Sequence, residues 1–321
     1  MSEISELAIN DDEKRSLVRS NIEEFNQDIL NKLNENTRRA YLSDFDQYLN
    51  FCRINSLTSM SDNWKDTKNS IKAYFTVLVN SNLKRASIQR KLATIKYFLG
   101  ISELPDPFKR SKLLRDFVSL HLKKSKPAAQ KQAEPLTAEL IIELNKTFDD
   151  KSLVDVRNKL LLNMAFDSLF RASNLCGVEF CHIHRKTNSV FAPYSKTDQD
   201  GHGIYGYVSP RTLTLLDKWS EATGIENGPV FRTFSPNLTV QHGPMGYDAM
   251  YKTFKSFGAR LGNGLEYSCH STRVGATVSM TEKNRPLVQI IHAGNWKSEK
   301  MAVRYGERAN IAKGGMAGII E

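Results

Sequence analysis

The sequence predicts a mainly α-helical protein with a small antiparallel β-sheet, in which a helical N-terminal domain precedes a mixed α/β domain. Three observations support this prediction. Apolar residues recur at helical spacing through residues 21–122, where no strand pattern occurs. Residues 123–135 are polar and basic with few large apolar groups, a composition typical of a linker. Two short β-type runs, at 190–194 and 204–208, follow only after that linker.

Length and composition narrow the class of protein. The chain has 321 residues, of which 40% are hydrophobic, enough for two domains with separate cores. Its formal net charge of +10 favours a polyanionic partner, nucleic acid ahead of membrane, although many basic proteins bind no DNA. The sequence has no membrane-spanning apolar run and no secretory signal, and its 4 cysteines are too few for a disulfide framework. These features predict a cytoplasmic protein without membrane association.

The N-terminal half is predicted to be a helical bundle. Residues 1–20 are polar and are interpreted as a flexible tail, whereas residues 21–122 form the helical domain. The first long helix is expected from Asn36, with Asn36 or Thr37 as its cap. Further helices are expected at 68–80, from Arg85, and at 112–122, the last with Leu113, Phe117 and Leu120 aligned as its apolar face.

The helix that begins at Arg85 has a basic outer face. The residues outside its apolar stripe are Arg85, Gln89, Arg90, Lys91 and Lys96. A charged face of this kind is often simply solvated, but it can also lie against a duplex and neutralise phosphates. This segment alone supports the two interpretations about equally.

The C-terminal domain is predicted to span 136–321. A strongly apolar helix runs from 157 to 170 and ends in Arg171, a residue that is costly to bury unless it is paired or functional. The two β-type runs form a hairpin with Lys196 at its mouth. Residues 231–245 show little periodicity and are interpreted as a loop.

Cysteine and histidine residues cluster between Cys176 and His184, but their spacing fits no common zinc motif. Cys181 and His182 alternate along a predicted strand and would face opposite sides of it. The sequence has no phosphate-binding loop for nucleotide hydrolysis and no carboxylate cluster for a two-metal nuclease. We therefore predict no metal site and no cofactor.

The strongest functional signal is the motif His-Ser-Thr-Arg at residues 270–273. Alone it is weak, because a chain with 7 histidines often contains a His-x-x-Arg match by chance. The motif becomes more significant because other residues suited to the same chemistry lie before and after it along the chain. The candidate catalytic residues are Arg171, Lys196, His270, Arg273, Trp296 and Tyr305.

These residue types suit metal-free cleavage of a DNA phosphodiester. Arg171 and Arg273 can hold the non-bridging oxygens with paired N–H donors and stabilise the pentacoordinate transition state. One such donor can be worth about 3–4 kcal/mol. Tyr305 is the candidate nucleophile. Its phenol, with an ordinary pKa of about 10, needs a proton acceptor or an orienting partner such as His270.

Two further residues complete the candidate site. Lys196 on a flexible hairpin can protonate the leaving 5′ oxygen. Trp296 can donate its indole N–H to a phosphate oxygen while its ring packs against the helix that carries Tyr305. Plain core packing would also explain Trp296, and an interface role would also explain Tyr305.

The ordered set Arg, Lys, His-x-x-Arg, Trp and Tyr resembles that of the tyrosine recombinase (phage integrase) family, most closely its Cre-like branch. The motifs that carry the resemblance are Leu-Phe-Arg-Ala-Ser-Asn-Leu at 169–175, Ser-Lys-Thr at 195–197, Cys-His-Ser-Thr-Arg-Val-Gly-Ala at 269–276, and Ala-Gly-Asn-Trp at 293–296. In the first half, Thr37 and the run Ser-Ile-Gln-Arg-Lys-Leu at 87–92 match more loosely. One departure is Asn174, where many family members carry a carboxylate that supports the first arginine.

The resemblance implies a site-specific recombinase that closes as a C-shaped clamp on double-stranded DNA. In such enzymes a 3′-phosphotyrosyl bond conserves the energy of the cut strand without ATP or a divalent metal. Dimers on inverted-repeat sites pair into a tetramer that forms a Holliday junction. The short apolar run at 309–320 would be a tail helix exchanged between protomers. The residues expected to contact DNA are Arg38, Arg39, Arg85, Ser87, Gln89, Arg90, Lys91, Asp248, Tyr251, Lys252 and Lys255.

Two other functions remain open from the sequence. A type IB topoisomerase would use the same chemistry as a monomer that relaxes DNA, and an inactivated relative would be a DNA-binding regulator. The C-terminal apolar run and the resemblance of the first domain to that of the Cre-like branch argue against the first alternative. The complete catalytic set argues against the second. The sequence predicts neither the target site nor the biological purpose of the reaction, whether integration, excision or replicon resolution.

Overall fold

The computed structural model describes residues 9, 11–124, 132–193 and 201–311. The chain divides into two compact units, one ending at Lys131 and the other beginning at Gln132. This boundary lies within the segment 123–135, although the last helix of the first unit continues to Lys124. In the ranges that the structure describes, no helix is both long enough and apolar enough to cross a membrane.

The first unit consists of helices and their connecting turns. Its helices are α1 (Asp12–Glu24), which a π-helical turn (Phe25–Ile29) continues, α2 (Glu35–Ile54), α3 (Trp64–Asn80), α4 (Arg85–Ile101), α5 (Pro107–Arg110) and α6 (Lys112–Lys124). Their apolar faces meet in one core, where Phe45 of α2 stacks on Phe98 of α4 with ring centroids 4.0 Å apart. Burial of such aromatic surface is a main source of stability.

The prediction of a flexible tail over residues 1–20 is wrong for its second half. Helix α1 begins within that range, and the Asp11 side chain caps it by accepting hydrogen bonds from backbone N–H groups of the first turn. Val18 and Ile22 lie one turn apart on α1 and are buried in the core of the unit. Two apolar positions are too weak a periodic signal to stand out in a polar stretch.

Two helices begin slightly earlier than predicted because asparagine side chains cap them. Asn34 caps α2 and Asn63 caps α3, each by accepting a hydrogen bond from a backbone N–H two residues further on. The predicted cap of α2 at Asn36 or Thr37 is therefore wrong, and both residues lie inside the helix.

The predicted apolar face of α6 is also wrong. Leu113 is 81% exposed and Leu120 is 56% exposed, whereas Leu114, Val118 and Leu122 are buried. Because α6 carries apolar residues on two adjacent faces, periodicity alone does not show which face packs against the rest of the unit.

One predicted DNA contact, Lys91, belongs to the core instead. It is 6% exposed, and its ammonium group donates to Asp44 at 2.8 Å and to Gln47 at 2.7 Å. Arg90 also binds Asp44, at 3.0 Å, while its side chain stays half exposed. A buried carboxylate needs such a counter-charge. Lys91 therefore neutralises Asp44 between α2 and α4 and is not available to a phosphate.

The second unit mixes helices with two small antiparallel sheets. Its elements are α7 (Ala138–Thr147), α8 (Leu153–Ser168), α9 (Ala172–Cys176), β1 (Ile183–His184), β2 (Ser189–Ala192), β3 (Ile204–Tyr207), α10 (Pro210–Thr223), β4 (Arg232–Phe234), β5 (Val240–Pro244), α11 (Tyr247–Leu261), α12 (Cys269–Glu282), α13 (Leu287–Ala293) and α14 (Glu299–Ile311). The core forms around α8, where Leu160, Leu161 and Leu162 are all fully buried. A helix that is buried all round in this way lies at the centre of its domain.

The first sheet has the order β1-β2-β3, and neighbouring strands are antiparallel. Phe191 of β2 lies opposite Tyr205 of β3, which is the hairpin that the sequence predicts. The second sheet, β4 with β5, lies where a loop was predicted. These strands are short and contain a register shift, so neither alternation nor length marks them in the sequence.

Gly275 allows the start of the second unit to lie against α12. The backbone N–H of Leu136 donates to the carbonyl of Ser271 at 3.0 Å. A Cβ on Gly275 would lie 1.8 Å from the carbonyl oxygen of Leu136. This neighbour is backbone, so no side-chain rotation can relieve the clash.

Gly275→Ala is expected to destabilise the protein by about 2–3 kcal/mol, because the segment at Leu136 would have to move away from α12. Thermal unfolding should show a Tm lower by roughly 5–10 °C. The matched control is Gly100→Ala in α4, where an added Cβ meets nothing within 4 Å. That change should be neutral or slightly stabilising. Equal Tm values for the two variants would contradict the tight packing at Gly275.

Candidate active site

Arg171 lies at the break between α8 and α9. Leu169 is the C-cap residue that follows α8, and its left-handed backbone (φ 52°, ψ 25°), which is uncommon for leucine, turns the chain sharply. Arg171 occupies the N-cap position immediately before α9 without using its side chain as a cap, and it is partly exposed. The Leu169 carbonyl accepts a hydrogen bond from Arg273, and the charge of Arg171 acts on both His270 and Arg273. The turn therefore brings this segment against α12.

Helix α12 carries His270 and Arg273 near its first turn. A capping box starts the helix: Ser268 accepts from the backbone N–H of His270 at 3.3 Å, and the Ser271 hydroxyl accepts from the N–H of Ser268 at 3.0 Å. Residues three apart on a helix lie on the same face. The His-x-x-Arg spacing therefore aims both side chains at one site.

Tyr305 lies on α14 and faces α12. Its hydroxyl is 2.5 Å from Nε2 of His270, and its ring packs against Trp296 with centroids 5.8 Å apart. Val274 and Val278 of α12 complete a small apolar cluster around it. Tyr305 is 7% exposed as a result. The predicted nucleophile and the predicted proton acceptor are thus hydrogen bonded to each other.

Arg273 is buried more deeply than Tyr305, with 2% of its surface exposed. Its terminal nitrogens donate to the carbonyls of Leu169 and Gly294, the latter at 3.1 Å. Its guanidinium carbon lies 5.2 Å from the centroid of the Trp296 ring, within the range of a cation–π contact. These contacts fix the plane of the guanidinium. Little of either Arg273 or Tyr305 is therefore exposed in the DNA-free protein.

The charges of the site favour a neutral His270. Its pKa falls from 6.5 to about 4, first because the surrounding protein removes water from the ring and then because of the charges on Arg273 and Arg171. Burial, and then Arg171, lowers the pKa of Arg273 to about 10. Burial raises the pKa of Tyr305, while Arg273, Arg171 and Arg304 oppose that rise. At neutral pH a neutral imidazole therefore lies against a neutral phenol, as proton transfer between them requires.

The titration midpoint of His270 in the DNA-free protein is expected near pH 4 rather than 6.5. NMR of the histidine side chains, with His270→Gln to assign the signal, measures it. The folded-state pKa is below the unfolded-state pKa, so the unfolded chain binds more protons between these values. The stability contributed by a neutral His270 therefore falls as the pH drops from about 6.5 towards 4. A midpoint at 6.5 or above would show that neither burial nor the charges of Arg273 and Arg171 lower the pKa of this ring.

Some predicted residues lie outside the described residues. Lys196 is among them, because the structure describes none of residues 194–200, and so are residues 312–320 of the predicted tail helix. The first residues of that predicted tail, 309–311, belong to the end of α14. Asn174 lies in α9 and is 3% exposed.

Most of the predicted DNA contacts have exposed side chains. The exposed residues are Arg39, Arg85, Gln89, Arg90, Asp248, Tyr251, Lys252 and Lys255. Arg38 and Ser87 are partly buried. Lys91 is excluded from the predicted DNA contacts because it is buried, and the other residues remain predicted contacts.

Sequence reasoning missed the groups that hold Arg273. These groups are the backbone carbonyls of Leu169 and Gly294. Residue type does not reveal them, because every residue has a backbone carbonyl. The Gly-Asn pair at 294–295 is a turn signal from which an unusual backbone could have been predicted. Asn295 adopts a φ of 50°, and its side-chain amide donates to the carbonyl of Tyr205 at 2.9 Å.

Three possible metal ligands, Glu179, Cys181 and His182, lie within 4.8 Å of one another. The backbone N–H of Glu179 already donates to Nδ1 of His182 at 3.1 Å, and the Cys181 thiol donates to the Glu179 carboxylate at 3.7 Å. The contact between the Glu179 N–H and His182 is part of the capping box of a 3-10 turn. Cys176 and His184, from the cluster seen in the sequence, do not belong to this group.

Two family profiles cover most of the chain. The phage integrase family matches residues 134–310, and the phage integrase N-terminal SAM-like domain matches residues 22–101. The first match alone spans more than half of the chain, which therefore belongs to the phage integrase family. The predicted fold and the predicted enzyme class, a tyrosine-type site-specific recombinase, are thereby confirmed.

Relatives with known roles are similar over most of the chain. An integrase/recombinase XerD homolog from Selenomonas ruminantium is 25% identical over 87% of this chain and 83% of its own. The Cre recombinase of Escherichia phage P1 is 21% identical over 89% of this chain and 88% of its own. The similarity thus extends to both XerD-type and Cre-type enzymes.

Solved structures share the fold. The XerH site-specific recombinase bound to a palindromic difH substrate is 13% identical, with a TM-score of 0.63 over 99% of this chain and 92% of its own. The Tn1549 transposon integrase in complex with transposon right end DNA is 11% identical, with a TM-score of 0.63 over 92% of this chain and 98% of its own.

Proposed function

We propose that this chain cuts and rejoins double-stranded DNA through Tyr305, without metal or ATP, at a site built of inverted repeats. The observation that carries the proposal is the hydrogen bond of 2.5 Å between Tyr305 and His270 beside the buried Arg273. A neutral imidazole can take the phenol proton as the oxygen attacks phosphorus. The activity belongs in the cytoplasm, which suits a chain whose cysteines are all free.

The first step is a transesterification. The Tyr305 oxygen bonds to phosphorus as the bond to the 5′ oxygen breaks, and the phenol proton goes to His270. Arg171 and Arg273 stabilise the charge that develops on the non-bridging oxygens. Lys196 supplies the proton to the leaving 5′ oxygen. The 5′ hydroxyl of a partner strand then attacks the phosphorus of the phosphotyrosine and passes its proton to Lys196. The bond to the Tyr305 oxygen breaks as His270 returns its proton to that oxygen, so the DNA is rejoined and Tyr305 is released.

The proposed assembly is a dimer on each site and a tetramer at a Holliday junction. The dimer is supported by a solved λ integrase structure (TM-score 0.54), which is a dimer bound to a core site. In this chain, exposed cations on α2, α4 and α11 would neutralise phosphates, whereas Asp248 and Tyr251 would face base edges. The cations are Arg39, Arg85, Arg90, Lys252 and Lys255.

A nicked suicide substrate tests this function. The target is first selected from a random DNA pool with the purified protein. In EDTA and without ATP, the wild type should accumulate a protein–DNA complex that survives SDS, because the short strand lost at the nick cannot return. Specific binding without any such complex would identify a DNA-binding regulator instead. Relaxation of a supercoiled plasmid that lacks the selected site would identify a topoisomerase.

A further inference from the structure

We propose that Asn295 is a positioning residue that holds Arg273 and Trp296 in their catalytic arrangement. It does so by tying the turn between α13 and α14 to the edge of the first sheet. The inference rests on the proposed function, because it assigns Asn295 a role in cleavage by Tyr305.

The position of Asn295 requires an unusual backbone. Its φ of 50° is a left-handed conformation that asparagine and glycine tolerate better than other residues. The N–H of Asn295 donates to the carbonyl of His292 at 3.1 Å, and the N–H of Trp296 donates to that of Ile291 at 3.2 Å. The residue therefore ends α13 and redirects the chain towards α14.

The side chain of Asn295 anchors this turn to β3. Its amide donates to the carbonyl of Tyr205 at 2.9 Å. β3 is an edge strand among the described strands, and edge carbonyls need a partner from outside the sheet. The strand is held firmly, because a Cβ on Gly206 would lie 2.8 Å from the Phe170 ring. Asn295 thus ties the turn to a strand that packs beside the segment carrying Arg171.

The two neighbours of Asn295 both contact Arg273. The Gly294 carbonyl accepts from the guanidinium at 3.1 Å, and the Trp296 ring lies 5.2 Å from it while packing on Tyr305. A Cβ on Gly294 would lie 2.1 Å from the Trp296 ring, so the turn and the indole are in close contact. A shift of this turn therefore moves both the Gly294 carbonyl that accepts from Arg273 and the Trp296 ring that packs against its guanidinium.

Two substitutions distinguish the effect of the left-handed backbone of Asn295 from the effect of its side-chain amide. Asn295→Gly keeps the left-handed backbone and loses the amide, whereas Asn295→Asp keeps the shape and directs a carboxylate at the Tyr205 carbonyl. Single-turnover cleavage of the suicide substrate should slow by about tenfold in the first variant and about a hundredfold in the second, because small misplacements of catalytic groups have effects of this size. The Kd for DNA should change by less than about twofold, because no DNA contact is lost.

A spectroscopic measurement reports on the turn without DNA. Protein labelled with 5-fluorotryptophan has one ¹⁹F signal for each of its 3 tryptophans, and Trp296→Phe assigns one of them. Both Asn295 variants should shift or broaden the Trp296 signal and leave that of the buried Trp219 unchanged. Asn188→Gly is the control, since Asn188 also has a φ of 50° and should affect neither cleavage nor the Trp296 signal.

A wild-type cleavage rate with an unshifted Trp296 signal would overturn the proposal. So would a loss of cleavage matched by an equal loss of DNA affinity, because Asn295 would then act as a DNA contact. Failure of the wild type to cleave at all would reject the proposed function. In that case the ¹⁹F spectra would still decide whether Asn295 sets the position of Trp296.

Discussion

Tyr305→Phe is expected to bind the selected DNA with unchanged affinity and to form no covalent complex with it. The substitution removes the oxygen that would become the phosphate ester and that lies 2.5 Å from His270. The phenyl ring can keep its packing against Trp296 and Val274, so the fold should be retained. Denaturing gels with the suicide substrate measure the covalent complex, and an equilibrium binding assay measures the affinity.

The matched control for this prediction is Tyr207→Phe. Tyr207 lies on β3 with 55% of its surface exposed, and it is not among the candidate catalytic residues. Its variant should form the covalent complex at the wild-type rate. If Tyr305→Phe still formed the complex, the nucleophile would be another residue.

Arg273→Ala should slow cleavage by about a thousandfold, which is the upper range for loss of one preorganised donor group. The change removes the buried positive charge beside Tyr305 and leaves the Leu169 and Gly294 carbonyls without their donor. Arg273→Lys keeps a charge but cannot make both hydrogen bonds in the same plane, so it should recover only about tenfold of the lost rate. Single-turnover cleavage at saturating DNA measures both effects.

The control for Arg273 is a surface arginine of the same unit. Arg185 is 54% exposed and pairs with Asp217, and exposed pairs of this kind contribute little. Arg185→Ala should cleave DNA at the wild-type rate and keep the wild-type Tm. A wild-type rate for Arg273→Ala would remove Arg273 from the catalytic set.

The candidate site was largely predictable because its chemistry restricts residue type. Phosphoryl transfer without a metal needs guanidinium groups, a proton acceptor and a hydroxyl nucleophile, and their order along the chain is recorded in the sequence. The helical spacing of His270 and Arg273 also follows from sequence. What holds Arg273 in place does not, because its acceptors are the backbone carbonyls of Leu169 and Gly294. Any residue type presents such a carbonyl.

Exposure was the least predictable property. Arg85 and Lys91 are both basic residues of α4 outside its predicted apolar stripe. Arg85 is nevertheless exposed, whereas Lys91 is buried against Asp44. That difference depends on which helix packs beside α4. The apolar periodicity of a single helix does not show how the helix packs in the tertiary structure. The same limit explains the wrong face predicted for α6, where Leu113 is exposed and Leu114 is buried.

Local signals predicted the fold well where they were strong. The hairpin of β2 and β3 has two short β-type runs on either side of a turn-rich segment, and the structure pairs these two strands as predicted. The β4–β5 pair has a shifted register and short strands, so tertiary packing and not local pattern determines it. Helix α1 was missed because few of its residues are apolar.

The central claim is that Tyr305 itself becomes bonded to DNA. The wild-type complex can be trapped on the suicide substrate, digested with nuclease and protease, and sequenced by mass spectrometry. We expect a single modified peptide that carries a nucleotide on Tyr305 through its 3′ phosphate. A nucleotide on any other residue, or a link through a 5′ phosphate, would contradict the proposed mechanism.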